Sequence, residues 1–180
     1  MIDSEAVADE WYRAAGAVLP LRPRVKSLHR PAHREQIIRR LRTLTPDSER
    51  RWGRMTVRQM VCHLTDAFRN LLGERTVTSV VAPPTLAGRT LVRFIALSAP
   101  VRWPHGIRTR AEADQEQGGT PPSVDFSADV AALEAAVGRF LAAGKHAPRK
   151  PHYMFGALTE AEWGRWAYRH MDHHLRQFGV

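Results

Sequence analysis

Apolar residues recur along this chain at three- and four-residue steps, and no stretch shows the two-residue alternation of a half-buried strand. Ile37, Ile38, Leu41 and Leu44 mark a helix from Pro31 to Leu44, with Pro31 suited to a first helical turn and Pro46 closing it. Val57, Met60, Val61, Leu64, Phe68 and Leu71 mark a second helix. Thr56 is its N-cap, Gln59 sits three residues on as in a capping box, and Gly73 comes after Leu72 as a stop. Leu86 to Ser98 reads as a further helix between Pro83-Pro84 and Pro100. Trp103 to Pro122, with Gly118-Gly119 and Pro121-Pro122, reads as a long loop of the kind that forms functional lids. Ser127 is positioned to cap a helix through Val130, Leu133, Val137, Phe140 and Leu141 that stops at Gly144. The last helix runs from Thr159 to Phe178, and Glu162 completes a Thr-x-x-Glu capping box.

Four main helices with apolar arcs about half a turn wide predict an all-α domain, a four-helix bundle with room for extra helices, over residues 31–180. Residues 1–30 form an N-terminal extension. Val7, Trp11 and Ala14 lie at helical spacing between Glu5 and Ala17, and Pro20, Pro23 and Pro31 interrupt residues 18–31. The stretch from Leu86 to Val101 is broken by Arg89 and Arg93 and falls short of the roughly 20 apolar residues of a membrane span. The acidic start, Met1 to Glu10, lacks the basic and apolar pattern of a secretory signal, so the expected location is the cytoplasm.

Chemistry enters with the histidines, nine in 180 residues. At about 100° per residue, with His170 at zero, Trp163 falls near 20°, His174 near 40°, Ala167 near 60° and Phe178 near 80°. His170 and His174 therefore share the core-facing arc, one turn apart, the arrangement by which a helix gives one ion two nitrogen ligands. His173 falls near 300° on the same wheel, with Glu162, Arg169, Asp172 and Arg176, a side expected to face solvent or to support the site from outside. In the second helix His63 lies at the edge of the apolar arc, in a polar strip with Gln59, Asp66 and Asn70. It supplies a third ligand if the second and last helices are neighbours. On spacing alone the pair equally suits core histidines with satisfied hydrogen bonds, or positive charge placed at a helix C-terminus. The lone cysteine, Cys62, removes any thiolate cage, so a metal here uses imidazole and carboxylate. Adjacent helix positions diverge, so Cys62 does not pair with His63 and reads as a packed thiol.

The net charge is +9, almost all of it from arginine, since lysine occurs only at positions 26, 145 and 150. The denser stretch with Arg22, Arg24, Arg34, Arg39, Arg40 and Arg42 supports an alternative function, a noncatalytic helical module that binds nucleic acid or an acidic partner.

Residues 50–72 (RRWGRMTVRQMVCHLTDAFRNLL) and 152–180, which end in HMDHHLRQFGV and include the Phe-Gly-x-Leu-Thr-x-x-Glu-Trp run at Phe155 to Trp163, resemble a domain-of-unknown-function branch of the DinB/YfiT-like superfamily. The resemblance implies a four-helix bundle, frequently a homodimer, with one histidine from the second helix and two from the last binding nickel, zinc or a similar divalent ion. Carried onto this chain they are His63, His170 and His174, the residues that the helical angles select. Iron and copper also suit imidazole. Some relatives transfer or isomerise with low-molecular-weight thiols such as bacillithiol or mycothiol, and others are called hydrolases. The implied function is thus a metal-dependent hydrolase or thiol-dependent transferase acting on a small molecule, with no general base identified. Gln59, Asp66, Gln177, His152 and His173 are candidates to support the ligands from a second layer. His152 stands where the branch often has His-Pro before the Phe-Gly turn.

Overall fold

The computed structural model describes residues 25–75, 86–106, 114–144, 149, 151–152 and 154–180. Among them lie five α-helices and no strand: α1 (Pro31–Leu41), α2 (Val57–Leu71), α3 (Leu86–Leu97), α4 (Phe126–Ala143) and α5 (Glu160–Gln177). The expected short helix from Glu5 to Ala17 falls outside the described residues. No helix among the described residues is long and apolar enough to cross a membrane.

Local chemistry sets the helix ends. Thr56 and Thr159 both form full capping boxes, each side chain accepting from the backbone three residues on while Gln59 and Glu162 accept from the cap residue's own N–H. Glu162 also takes both guanidinium arms of Arg93, at 2.8 and 2.5 Å, and its carboxyl is lowered to about 2, chiefly by that bond. The start of α4 differs from the sequence reading. Asp125 is its N-cap, with one carboxylate oxygen accepting from the Ser127 N–H at 2.8 Å and from the Ser127 hydroxyl at 2.7 Å. Ser127 is thus the capped residue. Helix α1 ends at Leu41, three residues before the expected end, because the Thr43 hydroxyl satisfies the Arg40 carbonyl and the chain tightens into i→i+3 bonds that tuck Leu44 into the core.

Helix α5 is the hub. It packs against α1, α2 and α3, and α2 packs against α4. Leu28, Ile37, Leu41, Met60, Leu64, Phe68, Leu133, Phe140, Met171 and Leu175 fill the core between them. Polar latches fix the register of the hub. Arg40 of α1 donates to Asp172 at 2.7 Å and to the Val180 carbonyl at 2.8 Å, and Arg93 of α3 holds Glu162.

The stretch before α1 is packed onto the hub as well. Leu28 is fully buried, its N–H donates to the Gly164 carbonyl at 3.0 Å, and the His29 ring stacks on Phe140. Such close approach requires a glycine at 164, since a Cβ there would overlap His29 Cδ2 and Ser27 Oγ. Gly164→Ala is therefore expected to destabilise the fold by about 1–3 kcal/mol through overpacking. Thermal melting of the variant checks this, and an unchanged midpoint would show that residues 27–29 yield freely.

Candidate metal centre

Helix α2 brings His63 and helix α5 brings His170 and His174 to one point. One ring nitrogen from each lies within 4.8 Å of the others. His63 Nε2 and His170 Nε2 are 3.3 Å apart, and the ring centroids of the three pairs are 4.8 to 5.3 Å apart. A tetrahedral zinc ion with Zn–N bonds of about 2.0–2.1 Å holds its ligand nitrogens roughly 3.3–3.4 Å apart, so the His63 and His170 nitrogens already have that separation.

The hydrogen bonds fix the protons. Gln177 is 1% exposed, and its Nε2 donates to the Trp52 carbonyl at 2.9 Å, which turns its Oε1 toward His174 Nδ1 at 3.1 Å. An amide oxygen only accepts, so His174 carries its proton on Nδ1 and presents a bare lone pair on Nε2. His170 Nδ1 is buried and has no hydrogen-bond partner among the described residues. A core histidine with all its bonds satisfied is therefore not what position 170 holds, because leaving such an atom unpaired costs about 1–3 kcal/mol. Burial, followed by the neighbouring imidazoles, holds His170 and His174 well below the usual histidine range, so both rings are neutral, the form in which imidazole binds metal.

Of the two readings of His173, facing solvent or supporting the site from outside, the structure removes the first. Instead of facing solvent it is buried, with Trp52 at 4.7 Å, Trp103 at 5.9 Å and His105 at 6.3 Å between ring centroids, and His174 at 5.1 Å on its inner side. Loop residues far away in sequence roof this side of α5, and burial pushes His173 down to about 4. It lies outside the converging trio. Trp52, Trp103 and His105 were missed by sequence reasoning. Trp52, stacked on His105 at 3.9 Å, had one signal, a large aromatic ring among arginines that needs cover.

A family model described as a protein of unknown function (DUF1569) matches residues 25–179. The chain belongs to this family. Comparisons with curated proteins and with solved structures give no match.

The other candidate residues in this DUF1569 chain divide by what they touch. Gln177 supports the trio directly. Gln59 has its side-chain oxygen engaged by the Thr56 N–H in the α2 cap. Asp66 is buried and clamps the 114–120 turn onto α2, accepting from the Thr120 N–H at 2.7 Å and hydroxyl at 2.6 Å and pairing with Arg75. His152 accepts from the Met154 and Phe155 N–H groups through Nδ1, which leaves the proton on Nε2. Its ring lies 5.6 Å from Trp166, itself 4.8 Å from His170. Cys62 is buried, and its thiol is pushed up to about 11 by burial first, then by Asp129 and Asp66, so it is no nucleophile. Of the basic stretch, Arg40 is held by Asp172 and Arg42 by Glu134, while Arg22 and Arg24 lie outside the described residues.

Acid should weaken this core in a definite direction. His170, His173 and His174 have folded pKa values below the usual 6.5, so unfolding takes up protons once the pH drops below that value. Their stabilising contribution is complete above 6.5 and is lost as the pH falls below it. The melting temperature of chelator-treated protein is expected to fall steadily from pH 6.5 toward 4. A flat profile over that window would contradict the burial of these rings as neutral groups.

Proposed function

We propose that this chain is a DinB/YfiT-like four-helix bundle, with α1, α2, α4 and α5 as its four helices, that holds one divalent ion on His63, His170 and His174 and acts as a metal-dependent enzyme on a small molecule. The convergence of three imidazole nitrogens from two helices carries this reading. Zinc and nickel are the ions we assign, with iron and copper compatible with the same donors. Three protein ligands leave a position open, where the ion supplies Lewis-acid chemistry that lowers the pKa of a water, for hydrolysis, or of a low-molecular-weight thiol, for transfer.

The chain's own residues prepare that site. Gln177 holds the His174 ring in the tautomer whose Nε2 faces inward. Trp103 packs beside the His170 ring and, with Trp52, around His173, so aromatic rings line that side of the trio. The superfamily reading carries with it a homodimer. The alternative, a basic module for nucleic acid or an acidic partner, draws less support because Arg40 and Arg42 are engaged in ion pairs within the fold.

Elemental analysis of protein purified without a histidine tag is expected to find near-stoichiometric zinc or nickel. His63→Ala and His174→Ala should each abolish metal binding, while His173→Ala should lower the melting temperature and keep the metal. Equal loss in all three variants, or no bound and no rebindable metal in the parent protein, would refute the site. Gln177→Ala should weaken metal affinity about 10- to 100-fold by freeing the His174 ring. Isothermal titration with zinc on the apo-protein reads this effect, and unaltered affinity would remove Gln177 from the site.

A further inference from the structure

A groove of about 610 Å3 lies between α1 and α4, two helices that contribute no residue to the histidine trio. That volume is within the range of small-molecule sites, roughly 300–1,000 Å3. Its floor is apolar. Val137 is buried, and Ile38 and Leu141 lie half-buried against the core. Gly138 keeps the floor open. It sits inside α4, where glycine is among the poorest helix formers, and a Cβ there would meet nothing within 4 Å. Close packing of helices therefore does not require this glycine, whereas a larger side chain would take up space in the groove.

Five charged side chains surround the floor, and four of them are matched. Arg42 reaches Glu134 with both guanidinium arms, at 2.8 and 2.7 Å, and so ties the two helices together across the groove. Glu35 and Arg39 stand one turn apart on the same strip of α1, where opposite charges offset each other. Arg34 is left over. It forms no ion pair and no side-chain hydrogen bond among the described residues, and it lies one turn before Ile38 on the face that lines the groove. Its chain neighbour Glu35 diverges from it by about 100° around the helix.

An apolar floor with a single uncompensated cation at its edge complements a molecule that has an apolar body and one negative charge. A planar guanidinium takes a carboxylate through two parallel donors, which favours that group as the head. From Arg34 to Arg42 the helix rises about 12 Å, a span that suits a tail of medium length. A second copy of this chain fits less well, because at net charge +9 it brings more cation than anion to the rim.

We propose that this groove binds a free medium-chain carboxylate, with its tail over Ile38, Val137 and Leu141 and its head paired with Arg34. The trio stands on α2 and α5, so the proposal does not depend on the metal.

Isothermal titration of the full-length protein with decanoate is expected to show one site per chain. Gly138→Leu should weaken binding about tenfold or more without lowering the melting temperature, since leucine is the better helix former. Arg34→Glu should weaken decanoate several-fold and leave the affinity for decanol unaltered, because the alcohol carries no charge for the arginine to match. His63→Ala should bind decanoate as the parent does. No decanoate binding, or binding indifferent to Gly138→Leu or to Arg34→Glu, would overturn the proposal. Loss of binding in His63→Ala would place the carboxylate at the histidine trio and overturn it as well. A dimer of the parent chain that Gly138→Leu converts to monomer in sedimentation would assign the groove to a second copy, with the same consequence.

Discussion

Placing an imidazole in a protein core removes two polar nitrogens from water, and each must then find a partner or raise the energy of the fold. This chain brings three such rings together at steep angles to one another, with His63 and His170 presenting Nε2 to each other and His174 bonded to Gln177. Burial keeps His170 and His174 neutral, so neither of these rings brings a charge to the centre. A cation answers that arrangement better than a hydrogen bond can. One proton serves a single pair of nitrogens, whereas an ion accepts all three lone pairs at once.

The rest of the fold keeps those rings in register. Capping boxes at Thr56 and Thr159 set where α2 and α5 begin, and so which residues face each other farther along. Arg40 ties α1 to the C-terminal half of α5 through Asp172 and Val180, close in sequence to His170 and His174. The Gln177 bond to the Trp52 carbonyl and the Arg51 N–H bond to the Gln177 carbonyl join the end of α5 to the loop before α2, so the segment that roofs His173 also orients His174.

Arginine is a structural cross-linker in much of this chain. Arg40, Arg42, Arg93 and Arg139 each join separate parts of the fold, the last three through paired guanidinium–carboxylate contacts. A planar guanidinium suits that task because it presents two parallel donors to one carboxylate. High net charge in this molecule therefore does not translate directly into phosphate affinity, since several cations are already matched by carboxylates within the chain.

The features that rest on short sequence separations were legible without coordinates. The i, i+4 histidine pair, both capping boxes, the apolar stripes of α2 and α5 and the stop at Gly73 all come from helix geometry, which repeats every few residues and leaves its period in the sequence. The meeting of His63 with the α5 pair was legible only conditionally, because periodicity says which way a helix faces and not which helix it faces. Where readings failed, a local competitor or a distant partner decided. Asp125 outcompeted Ser127 as a cap two residues earlier, and the Thr43 hydroxyl shortened α1. His173 was placed on the wet side by its own helix and was buried by Trp52, Trp103 and His105 from loops that no helical period registers. The bonds of Asp66 to Thr120 and Arg75 could not be read from the sequence either, since both partners lie outside its helix. By itself the sequence determined the helices and the imidazoles that two of them offer. The tertiary structure alone decided which nitrogens carry protons, which rings lose water and which carboxylates are already taken, because each of these depends on contacts between residues far apart along the chain.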